Sequence, residues 1–157
     1  ANGAPCRVLC HSNACSGGVD CANTSSCEIL CDGQTSCQGP IEGSARDVRL
    51  TCSGYDSCQG PIECSGGQCE VICNGARSCG AGIASSQGRR THVECVGYES
   101  CRGLTTCTTA QCSVNCDFNL GACQGLACCP SSSVCDLLHV TNVWSDIDQS
   151  CRSDNPL

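Results

Sequence analysis

The residues with most chemistry to offer are the cysteines, 23 in a chain of 157. Several fall as C-x5-C pairs, at 31/37, 52/58, 73/79 and 95/101. Sulfur in that amount either binds metal or closes disulfides. A metal would draw on His11, His92 and His139 as further ligands, but C-x5-C is wider than the close pair of a zinc knuckle. A cysteine fraction this high in a small chain marks a disulfide scaffold, which persists in oxidising compartments. The expectation is therefore bridges, with no metal and no cofactor. Two other groups could react. Glu42 and Glu63 stand at equivalent repeat positions and could form the carboxylate pair of acid/base catalysis. Nothing else converges there, so the chain is read as not being an enzyme. Ser36, Ser57, Ser78 and Ser100 each precede a cysteine, with no recurring His or acid beside them. They read as turn hydrogen-bonding residues rather than nucleophiles.

What positions these residues is a repeat. Taking Cys10 as landmark, equivalents follow at Cys31, Cys52, Cys73, Cys95 and Cys116, spaced 21, 21, 21, 22 and 21 residues apart. A fixed period in this range signals a solenoid, whose units bury their apolar faces only by stacking. Before each landmark lies a short strand: CRVLC at 6, CEILC at 27, VRLTC at 48, CEVIC at 69, THVEC at 91 and CSVNC at 112. Its middle residue is always aliphatic (Val8, Ile29, Leu50, Val71, Val93, Val114), with variable neighbours, as in a strand with one buried face. Stacked at about 4.8 Å, these six make one column. Glycine follows at Gly33, Gly54, Gly75 and Gly97, implying positive φ or tight backbone approach. A second buried column is expected at Val19, Ile41, Ile62 and Ile83, shifting one place earlier to Leu104 and Leu126. Residues after Cys135, Asp136 to His139, read as a seventh strand.

The cysteines vary in a way that suggests their pairing. Where Cys64 and Cys107 are present, so are Cys69 and Cys112; where Gly43 and Ser85 replace the first, Val48 and Thr91 replace the second. Joint loss is what a bonded pair would show. The expected bridges are Cys10–Cys15, Cys21–Cys27, Cys31–Cys37, Cys52–Cys58, Cys64–Cys69, Cys73–Cys79, Cys95–Cys101, Cys107–Cys112 and Cys116–Cys123. Cys135 is assigned to Cys129, with Cys128 the alternative. Each small loop contributes about 2 kcal/mol in the chain-entropy model. Cys6, Cys128 and Cys151 are left as candidates for intermolecular bonds.

Composition agrees with a stapled fold. Leu, Ile, Val and Phe number 26, below the roughly one-fifth that marks a chain able to build an apolar core. The net charge of −7 comes from 15 carboxylates against eight arginines and no lysine, which leaves no basic footprint for nucleic acid. No apolar run approaches a membrane span. Residues 1–5, free of a charged and apolar leader, read as a mature terminus after signal removal. On the surface, Arg7, Glu28, Arg49, Glu70 and His92 would alternate along one face, with a shorter alternation of Asp56, Arg77 and Glu99. Tyr55 and Tyr98 share a column two rungs apart and could stack on sugar rings. Asn23-Thr24-Ser25 is a glycosylation sequon in a turn.

The C-x5-C spacing resembles the beetle hyperactive antifreeze solenoids, in which a bridge crosses each coil; their coils are shorter and carry Thr-x-Thr ladders that this sequence lacks. The unit CxGxxSCxGxI, as in Cys52 to Ile62, is similar to cysteine-rich repeats of secreted or surface proteins of algae and other protists. It spans most of residues 6 to 126. That resemblance implies an extracellular location and no established chemistry.

The expected fold is all-β: a single disulfide-laddered parallel β-helix of about 21-residue coils over residues 1–129, with a capping segment at 130–157. The expected function is structural, as a secreted subunit of an extracellular filament, appendage or matrix whose partner is another copy of itself, joined head-to-tail. The second reading is a glycan- or protein-binding module, and the third an ice-binding protein.

Overall fold

The structure, a computed structural model, describes residues 3–117, 120–123, 127–128 and 134–138. These form a parallel β-solenoid with two strands per coil and no α-helix among the described residues. One sheet stacks seven strands in chain order: β1 (Cys6–Cys10), β3 (Ser26–Cys31), β5 (Asp47–Cys52), β7 (Gln68–Cys73), β9 (Arg90–Cys95), β11 (Gln111–Cys116) and β13 (Val134–Leu138). The other stacks six: β2 (Val19–Asp20), β4 (Ile41–Gly43), β6 (Ile62–Cys64), β8 (Ile83–Ser85), β10 (Thr105–Cys107) and β12 (Ala127–Cys128). Of the capping segment expected at 130–157, β13 continues the large sheet; the remainder, with His139 and Cys151, lies outside the described residues, as does Cys129, the expected partner of Cys135.

The aliphatic column runs in register, Val8 on Ile29, Leu50, Val71, Val93 and Val114. From Ile29 onward it is at most 1% exposed. Identical β-branched residues stack well on a parallel sheet because each fills the space above its neighbour. Facing it are Ile41, Ile62 and Ile83, each 1% exposed. One expectation fails here. Leu104 is not the next member of that column: it is 48% exposed, and Thr105, 5% exposed, pairs with Ile83. Thr105 stands four residues after Cys101, as Ile83 does after Cys79. Ile83 N–H donates to the Leu104 carbonyl at 3.0 Å, so the backbone ladder keeps the spacing and the apolar side chain is turned outward. Leu126 lies outside the described residues.

Between the sheets runs a long turn, and its sequence follows from close approach. A Cβ on Gly33, Gly54, Gly75 or Gly97 would lie 1.9 to 2.3 Å from backbone of the preceding rung. None of the four has positive φ; tight approach is their reason. The left-handed residues are others: Thr35, Asp56, Arg77 and Glu99 at φ 50 to 57°, then Cys37, Cys58, Cys79 and Cys101 at φ 49 to 54°. Each such residue costs roughly 1–2 kcal/mol. The four serines between them are fully buried. Ser36 and Ser78 Oγ donate to the Gly33 and Gly75 carbonyls at 2.8 Å, whereas Ser57 and Ser100 Oγ have no partner.

Among the described residues nine disulfides join Cys10–Cys15, Cys21–Cys27, Cys31–Cys37, Cys52–Cys58, Cys64–Cys69, Cys73–Cys79, Cys95–Cys101, Cys107–Cys112 and Cys116–Cys123. One set pins the end of the large-sheet strand to the long turn; the other links the small sheet to the next large-sheet strand. Where the second kind is missing, packing replaces it. A Cβ on Gly43 would meet Val48 Cγ1 at 2.8 Å, so the valine already fills the space of a bridge. At the other gap Ser85 Oγ contacts Cys107 Sγ at 3.3 Å and Thr109 Oγ1 reaches Thr91 Oγ1 at 3.3 Å. The buried threonine hydroxyls there are paired with each other and that of Ser85 with sulfur.

Candidate functional site

The solenoid carries its reactive and charged groups in outward columns, one residue per rung, because parallel in-register stacking repeats every strand position. On the large sheet the alternating column pairs off in twos. Arg7 Nε lies 3.1 Å from Glu28, Arg49 Nε lies 2.8 Å from Glu70, and His92 follows Glu70 in register. The side chains of both pairs are 38 to 63% exposed, so each contributes at most about 1 kcal/mol. A groove of about 590 Å³ runs along this face between Ser26 and His92, with Asp47 and Arg90 among its lining charges.

On the small sheet, Glu42 sits directly beside Glu63, and Asp20 beside Glu42. All three are exposed. Asp20 was missed from sequence, although its neighbour Val19 had been placed correctly in the Ile41 column. Like charges opposite one another on a sheet repel. The same strand position is Ala84, Thr106 and Cys128 on the following rungs.

The long turn places a third column outward: Gln34, Tyr55, Ala76, Tyr98 and Leu120, linked through carbonyls that accept from Asn13, Thr35, Asp56, Arg77 and Glu99 N–H groups. Arg77 is the centre of this corner. Its Nη1 donates to Tyr55 Oη at 3.1 Å and its guanidinium stands 5.9 Å from the Tyr55 ring centre. Its Nε is 3.4 Å from Asp56 Oδ1, near enough for attraction but not aligned as a hydrogen bond. The Tyr55 hydrogen bond, then the charge of Asp56, raise the Arg77 pKa above its ordinary value. Two rungs nearer the N-terminus, His11 Nδ1 meets Asp32 at 2.8 Å and Thr35 Oγ1 donates to Asn13 Oδ1 at 2.6 Å.

Asn23 is exposed in the turn closed by Cys21–Cys27, at φ 63°, with Thr24 Oγ1 donating to the Cys21 carbonyl at 3.0 Å. Cys6, at the start of β1, is half-buried and, among the described residues, is the cysteine without a bridge. It stacks on Cys27. Three clusters bring cysteine sulfurs within 4.8 Å of one another, such as Cys10, Cys31 and Cys37, but these sulfurs belong to bridges already named.

The geometry defines a class: a cysteine-rich β-solenoid with a disulfide ladder and periodic surface columns. The chain matches no family model, no curated protein and no solved structure. Among the described residues no helix is long and apolar enough to cross a membrane, and the density of bridges fits an oxidising environment.

Proposed function

We propose that the chain is a structural subunit of an extracellular filament, appendage or matrix, assembling head-to-tail through the ends of its solenoid. The observation behind this reading is Cys6. In its column the bonded cysteines reach back to the preceding short strand, Cys27 to Cys21, Cys69 to Cys64 and Cys112 to Cys107. Cys6 has the same place on its rung and a free thiol. The missing partner is one that another coil would supply. Beside it, β1 is an edge strand, and among the described residues nothing pairs with its outer side; such an edge templates further pairing. A second copy bringing its last coils onto β1 would continue both sheets, and its Cys128, Cys129 and Cys151 are the candidates for the bond to Cys6. Contact of unlike ends propagates as a fibre unless it closes into a ring. The bond forms by exchange: one thiolate attacks a small-molecule or oxidoreductase disulfide to give a mixed disulfide and release one carrier thiol, and the second thiolate attacks the protein sulfur of that bond and releases the other, the two electrons leaving with the reduced carrier. The disulfide load supports secretion, and Asn23 offers an acceptor for N-glycosylation on that route.

Protein secreted into an oxidising medium and run on a non-reducing gel should give a ladder that collapses with reductant, with filaments visible by electron microscopy. Cys6→Ser should leave monomer on the same gel. A wild-type protein that is a monodisperse monomer under oxidising conditions overturns the reading.

A further inference from the structure

The aromatic residues of the described solenoid are not used to build its core. Tyr55 and Tyr98 are 45 and 56% exposed, and they share one column with Leu120, itself 38% exposed. Three of the five large apolar side chains left exposed among the described residues therefore line a single corner. Isolated exposed apolar residues need no explanation, whereas a contiguous exposed strip marks a binding surface. Ala76 occupies the rung between the two tyrosines, and beside it the Arg77 guanidinium reaches back over the Tyr55 ring.

The spacing identifies the ligand. Two rungs separate the rings by roughly 9.6 Å along the solenoid axis. A β-1,4-linked pyranose chain flips each successive ring, and it presents the same ring face again after about that distance. Alternate sugars of such a chain, laid along the axis, would meet Tyr55 and Tyr98, with the sugar between them over Ala76. The neighbouring column supplies the polar half of a sugar site. Arg77 is held by Tyr55 Oη and Asp56, and Glu99 stands on the next rung. Guanidinium and carboxylate groups fixed beside an aromatic face suit hydroxyl groups at a ring edge. We propose that this corner binds an extended β-1,4-linked glycan running parallel to the solenoid axis. The proposal is independent of self-assembly, since the corner lies on the flank of the coils and not at their ends.

Titration calorimetry with cellohexaose, chitohexaose and the α-linked maltohexaose tests it. The expected result is binding of at least one β-1,4 hexaose, maltohexaose weaker by tenfold or more, and a loss of tenfold or more in both Tyr55→Ala and Tyr98→Ala. Circular dichroism of both variants should match the parent, because neither ring supports the core. Failure of both β-1,4 hexaoses to bind, equal binding of maltohexaose, or full affinity in the tyrosine variants would each overturn it. Capture of an apolar or protein partner by the strip, with no hexaose binding, would also replace the glycan.

Discussion

Gly54→Ala should unfold the solenoid more readily by about 3 kcal/mol, although it adds one methyl group in a turn. The added Cβ would lie 2.0 Å from the Gly33 carbonyl oxygen, and real Cβ contacts essentially never fall below 3.0 Å. The rungs must therefore separate locally by about 1 Å. Two hydrogen bonds lie at that point, from Ser53 N–H at 3.0 Å and Gly54 N–H at 3.2 Å, both to the Cys31 carbonyl. Losing them costs about 1 kcal/mol each, and leaving the buried carbonyl of Cys31 unpaired adds roughly 1–3 kcal/mol. Alanine's smaller unfolded ensemble offsets about 0.4–1 kcal/mol. Guanidinium unfolding of the oxidised protein, followed by far-ultraviolet circular dichroism, measures the difference. Gly17→Ala is the control: nothing lies within 4 Å of its Cβ, and its effect should stay within about 0.5 kcal/mol. If Gly54→Ala is as mild as that control, the glycine column is not there for close approach, and the explanation of the turn is wrong.

Reversing Glu70 to Arg exchanges its 2.8 Å partnership with Arg49 for repulsion from Arg49 and from any charge on His92. The expected cost is on the order of 1 kcal/mol at low salt and less in high salt; an unchanged melting temperature at low salt would show that the column does not interact. Replacing Cys64 and Cys69 together by Ser and Thr, the types found one coil later at Ser85 and Thr91, should cost about 2 kcal/mol and leave a folded rung. Cys69→Thr alone strands the Cys64 thiol and should give mixed species on peptide mapping, so equal behaviour of the two variants argues against the bond. Full reduction should abolish the β signal, because burial of one aliphatic residue per strand is a thin core for a chain of this size. A β spectrum retained in strong reductant would show the aliphatic columns to be sufficient.

The large sheet was legible because its signal is redundant: six strands repeat one pattern, so Val8 to Val114 align without ambiguity. The small sheet was legible until Leu104, where hydrophobicity and spacing disagreed. Spacing prevailed, since a parallel ladder cannot slip by one residue without turning its whole inward set outward. The left-handed corner was hidden for a different reason. Thr35, Asp56, Arg77 and Glu99 carry no glycine signal, and their conformation is imposed by the bridge and the rung below. The Arg77 contacts with Tyr55 were equally out of sight, because they join residues on two rungs that share no spacing rule. The His11–Asp32 pair, by contrast, was within reach of the period, since each follows its landmark cysteine directly and the two stand 21 residues apart.

The bridges also decide how the molecule would yield to force. They join cysteines 5, 6 or 7 residues apart, so among the described residues no bridge spans the 21 or 22 residues that separate stacked positions on neighbouring rungs. A pull on the two ends therefore peels coils off singly, resisted by hydrogen bonds and packing. A free coil of 21 residues would extend by about 70 Å at ~3.4 Å per residue. In the coil from Cys52, the bridges replace chain segments of 6 and 5 residues by spans of 6.1 and 6.2 Å. Each peeling event there releases only about 45 Å, and the same coil regains its full length once reductant is added, making slack a property set by redox state.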